Sequence, residues 1–334
     1  MNRLRPDSPS LLGAFSGGTA HIATASIAAV CIWIASVATA FLVAAAGPVE
    51  KKVIYEAESK YNHIIVKEDE KGLRYLLFSE TGGYQSVAKP GDADQLQLPY
   101  SHMMLVGLAS VEEPAKILII GLGGGSIPAF LHKRYPKTRI DCVDIDTEVI
   151  AVARVFFGFK EDETLKAHAA DGRKFIEETA EQYDLIFLDA FGNDFVPRHL
   201  TTKEFLTAVR RILAPGGIVL GNVWSRLSNP YYDSMIRTYK EAYEQVYIFK
   251  VPERENIIVL AVPRKGKITK EELAGQAEAV EKKRSIPFDL SELVRSAYRD
   301  AAEIEFADPV LYDEEEGGGE DSATRRDEDT GRRP

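Results

Sequence analysis

Ile119-Ile120-Gly121-Leu122-Gly123-Gly124-Gly125-Ser126 is the stretch from which the rest of the chain is read. An apolar strand runs directly into a glycine loop, and a helix opens after it. Glycine at such a junction keeps the turn tight and lets the backbone approach a ligand closely. A plain strand-to-helix turn would look the same in isolation, so the flanking sequence matters. The next strand ends Cys142-Val143-Asp144-Ile145-Asp146, which places an acid 19 residues past Gly125. A carboxylate at that strand end can accept hydrogen bonds from both ribose hydroxyls of a nucleoside. Asp144, with Ile145 beside it, is the better ribose-side position, and Asp146 the better helix cap.

Outward from the loop the order is regular. Strands are expected at 116–120, 139–143, 166–169, 185–188 and 217–222, alternating with helices up to 134 and at 148–156, 173–179, 203–213 and 231–242. Such alternation predicts a parallel, doubly wound α/β sheet with ligands at the strand carboxyl ends. Two further strands, 245–251 and 256–262, are joined by too few residues for a parallel crossover and must pair antiparallel. A parallel sheet closed by an antiparallel hairpin is the layout of the class I methyltransferase fold, which this resembles.

Before this domain, short strand-like pieces between 53 and 85 are separated by Lys71-Gly72 and Thr81-Gly82-Gly83, as in a small antiparallel β-domain spanning 50–95. A helical run, LPYSHMMLVGLAS, leads from it into a main domain spanning 96–265. Two helical segments, 270–283 and 290–301, read as a solvated peripheral cover within 266–311. The run from 312 to 334 has no apolar periodicity and reads as a disordered acidic tail. From Ser8 to Val49 there is no Asp, Glu, Lys or Arg, and 22–46 is almost wholly apolar or small. That is long enough to cross a bilayer. A retained single-span N-terminal transmembrane helix is expected, with a cleaved secretory signal as the rival, since Arg3 and Arg5 precede the run and Ala44-Ala45-Ala46 close it.

The 334 residues carry 41 basic and 51 acidic side chains, a net charge of −10, and are 45% hydrophobic. Half of that excess lies between Asp313 and Pro334. No basic stripe is visible, so nucleic acid is a poor partner. Two cysteines, Cys31 in the apolar segment and Cys142 in an expected buried strand, make no disulfide scaffold. The six histidines show no paired metal spacing, so no metal is expected.

Three further acids stand where chemistry is possible. Asp171-Gly172 ends the third strand, where a side-chain acceptor could meet an adenine amino group or simply cap the next helix. Asp189 closes the fourth strand, Tyr183-Asp184-Leu185-Ile186-Phe187-Leu188-Asp189, over the expected cleft. A buried acid there needs a polar or cationic partner. Asp194 follows in the loop. Two carboxylates beside a cleft suit a cationic amine, binding the ammonium and accepting a proton as the nitrogen becomes a nucleophile.

The order YNHIIV, GGYQS, PYSHMML, IIGLGGGS, VDID, AADG, YDLIFLDAFGND resembles the spermidine synthase family, the polyamine aminopropyltransferases, over about 53–262. The resemblance implies a methyltransferase-like fold behind an N-terminal β-domain, and decarboxylated S-adenosylmethionine as donor. It implies a small-molecule amine as acceptor, no metal, and admits a homodimer. By motif, Gly121, Gly123 and Gly125 match the donor loop, Asp144 the ribose acid, and Asp171-Gly172 the adenine side. Asp189 matches the proton acceptor, Tyr100 the tyrosine that assists it, and Gln85 the glutamine after the β-domain hairpin.

The sequence also departs from the pattern. The acid of the family's Gly-Gly-Gly-Asp-Gly-Gly falls on Gly124, and its Tyr-His-Glu becomes Tyr100-Ser101-His102. Its Ser-x-Tyr-Gln becomes Ser59-Lys60-Tyr61-Asn62, leaving Tyr61 in the amine-side set with Asp194, which now stands five places after Asp189. The nucleoside half is kept and the amine half is eroded, as in a divergent branch. Aminopropyl transfer is therefore the leading expectation. Methyl transfer from intact S-adenosylmethionine and a non-catalytic, membrane-tethered nucleoside-binding domain are the alternatives. Because adenosylmethionine derivatives are made in the cytosol, an anchored enzyme is expected to face inward.

Overall fold

The structure, a computed structural model, describes residues 50–192 and 196–313. The expected transmembrane segment 22–46, the acid Asp194 and the acidic run from 314 onward lie outside these residues. By its internal contacts the chain divides into Met1–Glu50 and Lys51–Pro334, and the second unit holds all that follows. No helix among the described residues is long and apolar enough to cross a membrane.

β1 (Lys51–Glu58), β2 (His63–Asp69), β3 (Arg74–Leu77) and β4 (Ser86–Ala88) form a four-stranded antiparallel sheet in sequence order. Its inward residues Ile64, Val66 and Leu76 meet Val149, Val152 and Phe157 of the main domain in a small core of their own. The tie is also polar. Ser59 and Asn62, in the β1–β2 turn, donate to Asp146 at 2.5 and 2.9 Å, while Asp146 caps the helix that follows it by accepting from the Glu148 N–H. This buried carboxylate therefore fixes the small sheet against the strand end that carries Asp144.

The chain then enters α1 (Pro99–Met104), which opens on a proline at its first turn, where no N–H is needed, and tightens into a 3-10 turn over Leu105–Ala109. The single helix expected here is split in this way. A Cβ on Gly107 would lie 2.2 Å from the Leu220 side chain, so backbone packs directly on the sheet.

The main domain runs β5 (Lys116–Ile120), α2 (Ser126–Arg134), β6 (Arg139–Asp144), α3 (Thr147–Phe156), β7 (Leu165–Ala169), α4 (Gly172–Glu178) and β8 (Tyr183–Leu188). It continues with α5 (Lys203–Arg211), β9 (Leu213–Trp224), α6 (Tyr232–Ala242), β10 (Gln245–Lys250) and β11 (Asn256–Val262). The last elements are α7 (Lys270–Arg284), α8 (Leu290–Ala297) and β12 (Tyr298–Asp300). The eight-stranded sheet has the order β12-β10-β11-β9-β8-β5-β6-β7, parallel from β9 to β7 and antiparallel from β9 to β12. The α/β fold with an antiparallel closing hairpin is thus as expected.

After β7 the chain returns to the other side of β5 to lay down β8. The carboxyl ends of β5 and β8 therefore flank the point where the winding reverses, the place where such sheets open a crevice.

One expectation is corrected. The segment 266–311 is not a solvated cover. α7 buries Leu273, Ala274, Ala277 and Val280, and α8 buries Leu290, Val294 and Ala297, all in the core on one face of the sheet. β12, not foreseen, pairs with β10 and forms the sheet edge. The surface charges of α7 concealed its inner stripe, and three residues of strand are too few to show a period. The other face carries α5 and α6, with Phe205, Val209 and Ile236 buried against it. Beyond the last helix, Asp313 binds Arg173 of α4 through both guanidinium nitrogens and accepts from Thr202 at 2.7 Å.

Candidate active site

At the reversal point lies a cavity of about 680 Å³. Its walls come from the small sheet, α1, the glycine loop and the carboxyl ends of β6, β8 and β9.

The glycine loop leaves β5 with Gly121 at φ +97°, Gly123 at +53° and Gly125 at +74°, a left-handed region costly for other residues. At Gly121 the requirement is also steric, because a Cβ would sit 2.3 Å from the carbonyl oxygen of Asp189. Gly121 and Gly123 line the cavity. Gly125 does not: it stands at the start of α2, where an added Cβ would meet the Phe159 ring at 2.6 Å. Its assignment as a ligand contact gives way to a packing one. Gly124 is enclosed as well, since a side chain there would run into Ser86 Oγ at 2.7 Å and the Phe157 ring at 2.8 Å.

Asp144 ends β6 with each carboxylate oxygen already accepting one N–H, from Leu122 in the loop and from Asp146, both at 2.9 Å. Its burial outweighs these bonds and pushes its pKa up to about 6. A carboxylate has about four acceptor directions, so those that remain can still serve a ligand. Ile145, Asp171 and Gly172 line the same end. Asp171 caps α4 by accepting from the N–H of Arg173 and Lys174 at 2.8 and 3.1 Å, and its other oxygen lies 3.4 Å from His199 Nε2. The capping role and the cavity position coexist. Gly172 must be small, as a Cβ would lie 2.5 Å from Ile120.

Asp189 follows β8 directly, its N–H tied to the Ile120 carbonyl at 2.8 Å. Its side chain accepts from Asn222 Nδ2 at 2.8 Å and, over a longer 3.4 Å, from the Tyr100 hydroxyl. The apolar walls outweigh both bonds and raise its pKa to about 7. Burial, with the Asp189 charge beside it, pushes the Tyr100 phenol well above its ordinary value, so it stays a donor. Here is an acid poised to take a proton near neutrality, the property expected of a general base.

The structure brings Gln85, Tyr61, Tyr100, Gly121, Gly123, Asp144, Ile145, Asp171, Gly172 and Asp189 to one cavity. Tyr61 is partly exposed at the rim, with Lys60 Nζ 5.2 Å from its ring centre. His102, in the place of the family's acid, donates from Nε2 to the Leu96 carbonyl and stacks on Phe288 at 4.2 Å, away from the cavity. Residues the sequence did not single out also contribute: Asn222, Asn256, Ser86, Arg254 and Glu255 line the wall. For Asn222 a signal existed, an amide inside the otherwise apolar run Ile218-Val219-Leu220-Gly221-Asn222-Val223. For Arg254 and Glu255 there was none, because only the pairing of β11 with β9 brings that turn to the site. Among the described residues no cluster of three or more His, Cys, Asp or Glu is placed to hold a metal ion.

Residues 98–270 match the family described as Spermine/spermidine synthase domain. The chain is 33% identical over 238 residues to a polyamine aminopropyltransferase of Vibrio vulnificus, covering 69% of this chain and 78% of that one. It is 31% identical over 218 residues to the human eEF1A lysine and N-terminal methyltransferase, covering 58% of this chain but 31% of that protein. Among solved structures, a probable spermidine synthase from Corynebacterium glutamicum superposes with a TM-score of 0.58 at 21% identity, covering 75% of this chain and 94% of that one, a likeness of fold.

Proposed function

Because the chain belongs to the spermine/spermidine synthase family, we propose that its cavity transfers an aminopropyl group from decarboxylated S-adenosylmethionine to the nitrogen of a small amine of putrescine or polyamine type. The observation that carries the reading is the placement of Asp189, with Tyr100 and Asn222 on its carboxylate, directly against the glycine loop.

The nucleoside would lie along Gly121, Gly123, Asp144 and Asp171, leaving its sulfonium-bound carbon towards Asp189. The negative charge of Asp189 draws a cationic amine into the site. The Asp189 carboxylate takes one proton from the acceptor ammonium, and the lone pair so freed forms the new C–N bond at the sulfonium-bound carbon. The C–S bond breaks with its electrons to sulfur, the neutral thioether methylthioadenosine leaves, and the product nitrogen carries the positive charge as a secondary ammonium.

The test uses the full-length protein, offered decarboxylated and intact S-adenosylmethionine in separate reactions with a panel of di- and polyamines, and the products identified by mass spectrometry. Methylthioadenosine with an amine heavier by one aminopropyl group is the expected result. Asp189→Asn should lower turnover about 10²- to 10⁴-fold while methylthioadenosine binding, read by calorimetry, persists. Undiminished turnover in that variant would remove Asp189 from the chemistry.

One observation favours a second reading, methyl transfer from the intact donor. The loop carries no acid at Gly124, and Ser86 and Phe157 fill the space a side chain there would take. S-adenosylhomocysteine as the product would establish it. For location, the apolar run 22–46 supports a single-span membrane anchor with the catalytic unit on the cytosolic side, where the donor is made. Protease added to intact cells should then spare the C-terminal run and cleave it after lysis; cleavage from outside would rule that orientation out.

A further inference from the structure

Asp189 is held by more than its immediate neighbours. Its Oδ1 accepts from Asn222 Nδ2 at 2.8 Å, and Asn222 Oδ1 in turn accepts from Asn256 Nδ2 at 3.0 Å. Asn222 is buried in β9, and Asn256 opens the antiparallel neighbour β11, where it pairs across from Trp224.

The polarity of this chain is dictated by chemistry. An ionised carboxylate only accepts, so Asn222 must turn its amide nitrogen to Asp189 and its oxygen to Asn256, which must then donate. We propose that Asn222 and Asn256 are positioning residues, a two-amide relay that pins one oxygen of Asp189 to the sheet and leaves the other, beside Tyr100, turned to the acceptor nitrogen. The inference rests on the base role assigned to Asp189 above.

The relay has a directional consequence. While Asn256 donates, Asn222 cannot rotate its amide without leaving two oxygens face to face, so the arrangement selects the ionised, proton-accepting form of Asp189. The other titratable groups on the cavity wall are Asp144 on β6, Asp171 and His199 at the far end, Tyr61 and Tyr84 on the small-sheet side, and Arg254 and Glu255 in the β10–β11 turn. Of the titratable groups described, Tyr100 alone hydrogen-bonds Asp189.

The experiment compares full-length unmutated protein with Asn256→Asp and Asn256→Ala. In Asn256→Asp the shape is kept and the relay's polarity is inverted, since a carboxylate at 256 competes for the Asn222 N–H. The expected result is a fall in kcat of about 10- to 100-fold with the donor KM little changed, and a rise of about one unit in the Asp189 pKa. Asn256→Ala, which loses the donor without inverting it, should shift both less. The pKa is read by carbon-13 NMR of the Asp189 carboxyl in protein without ligand, using Asp189→Asn to assign the signal. That reading does not depend on turnover. If no transfer product forms with any donor, the function proposed above fails while the titration still decides the relay. Overturning the relay requires either that both variants titrate at 189 like the unmutated protein, or that Asn256→Ala shifts that titration as far as Asn256→Asp.

Discussion

Asp189 has a pKa of about 7 in the ligand-free protein, above the ordinary 3.8 of an aspartate, because burial outweighs its bonds to Asn222 and Tyr100. kcat/KM reports the free enzyme, so its pH profile should rise along an acid limb with a midpoint near 7 and lose that limb in Asp189→Asn. A midpoint near 4 would mean the carboxylate is not desolvated as the cavity walls require. Gly121 is constrained twice, by its φ of +97° and by the Asp189 carbonyl 2.3 Å from where a Cβ would be. Gly121→Ala should destabilise the protein by about 1–3 kcal/mol in urea unfolding and also displace Asp189. Such residues were legible in the sequence in different degrees. The glycine loop and Asp144 announce themselves by spacing along one β-α-β unit, and Asp189 by an acid at the end of an apolar strand. Asn222 and Asn256 are 34 positions apart, and only the antiparallel pairing of β9 with β11 makes one a partner of the other.

Among elements, α7 and α8 show how surface composition conceals packing. Leu290 is fully buried and belongs to the main core. Leu290→Ala should cost about 2–5 kcal/mol in chemical denaturation, whereas a residue in a solvated cover would change stability by no more than about 0.5 kcal/mol. The alternation of strands and helices was readable because each element spans several periods of its own pattern. β12 was not, being three residues long and dependent on β10 for its identity. The docking of the small sheet belongs to the same class. Ser59 and Asn62 look like turn residues, and Asp146 like a helix cap, yet together they lock the β1–β2 turn to the end of β6.

For the whole molecule, the two raised carboxylates couple the site to stability. Asp144 at about 6 and Asp189 at about 7 both lie above their unfolded value of 3.8. Between those limits the folded chain holds protons that the unfolded chain has released, so their contribution to stability is greatest below about pH 4 and falls as pH rises to about 7. Asp189→Asn removes its share of that slope. Its stability relative to the unmutated protein should therefore increase between pH 5 and pH 8 in urea titrations; a constant difference would contradict the shift.

The sequence by itself determined the α/β class, the alternation of strands and helices up to the antiparallel hairpin, and the glycines and acids that meet at one end of the cavity, because those signals are local: periodicity, glycines at a turn, acids at strand ends. Tertiary structure alone decided that Gly125 packs against Phe159 instead of lining the cavity, and that Phe157 and Ser86 close the space beside Gly124. It also decided that Asn222, Asn256 and the turn before Asn256 line the cavity. Those features are contacts between residues far apart in the chain, set by which strands pair and which faces bury, and no local pattern records them.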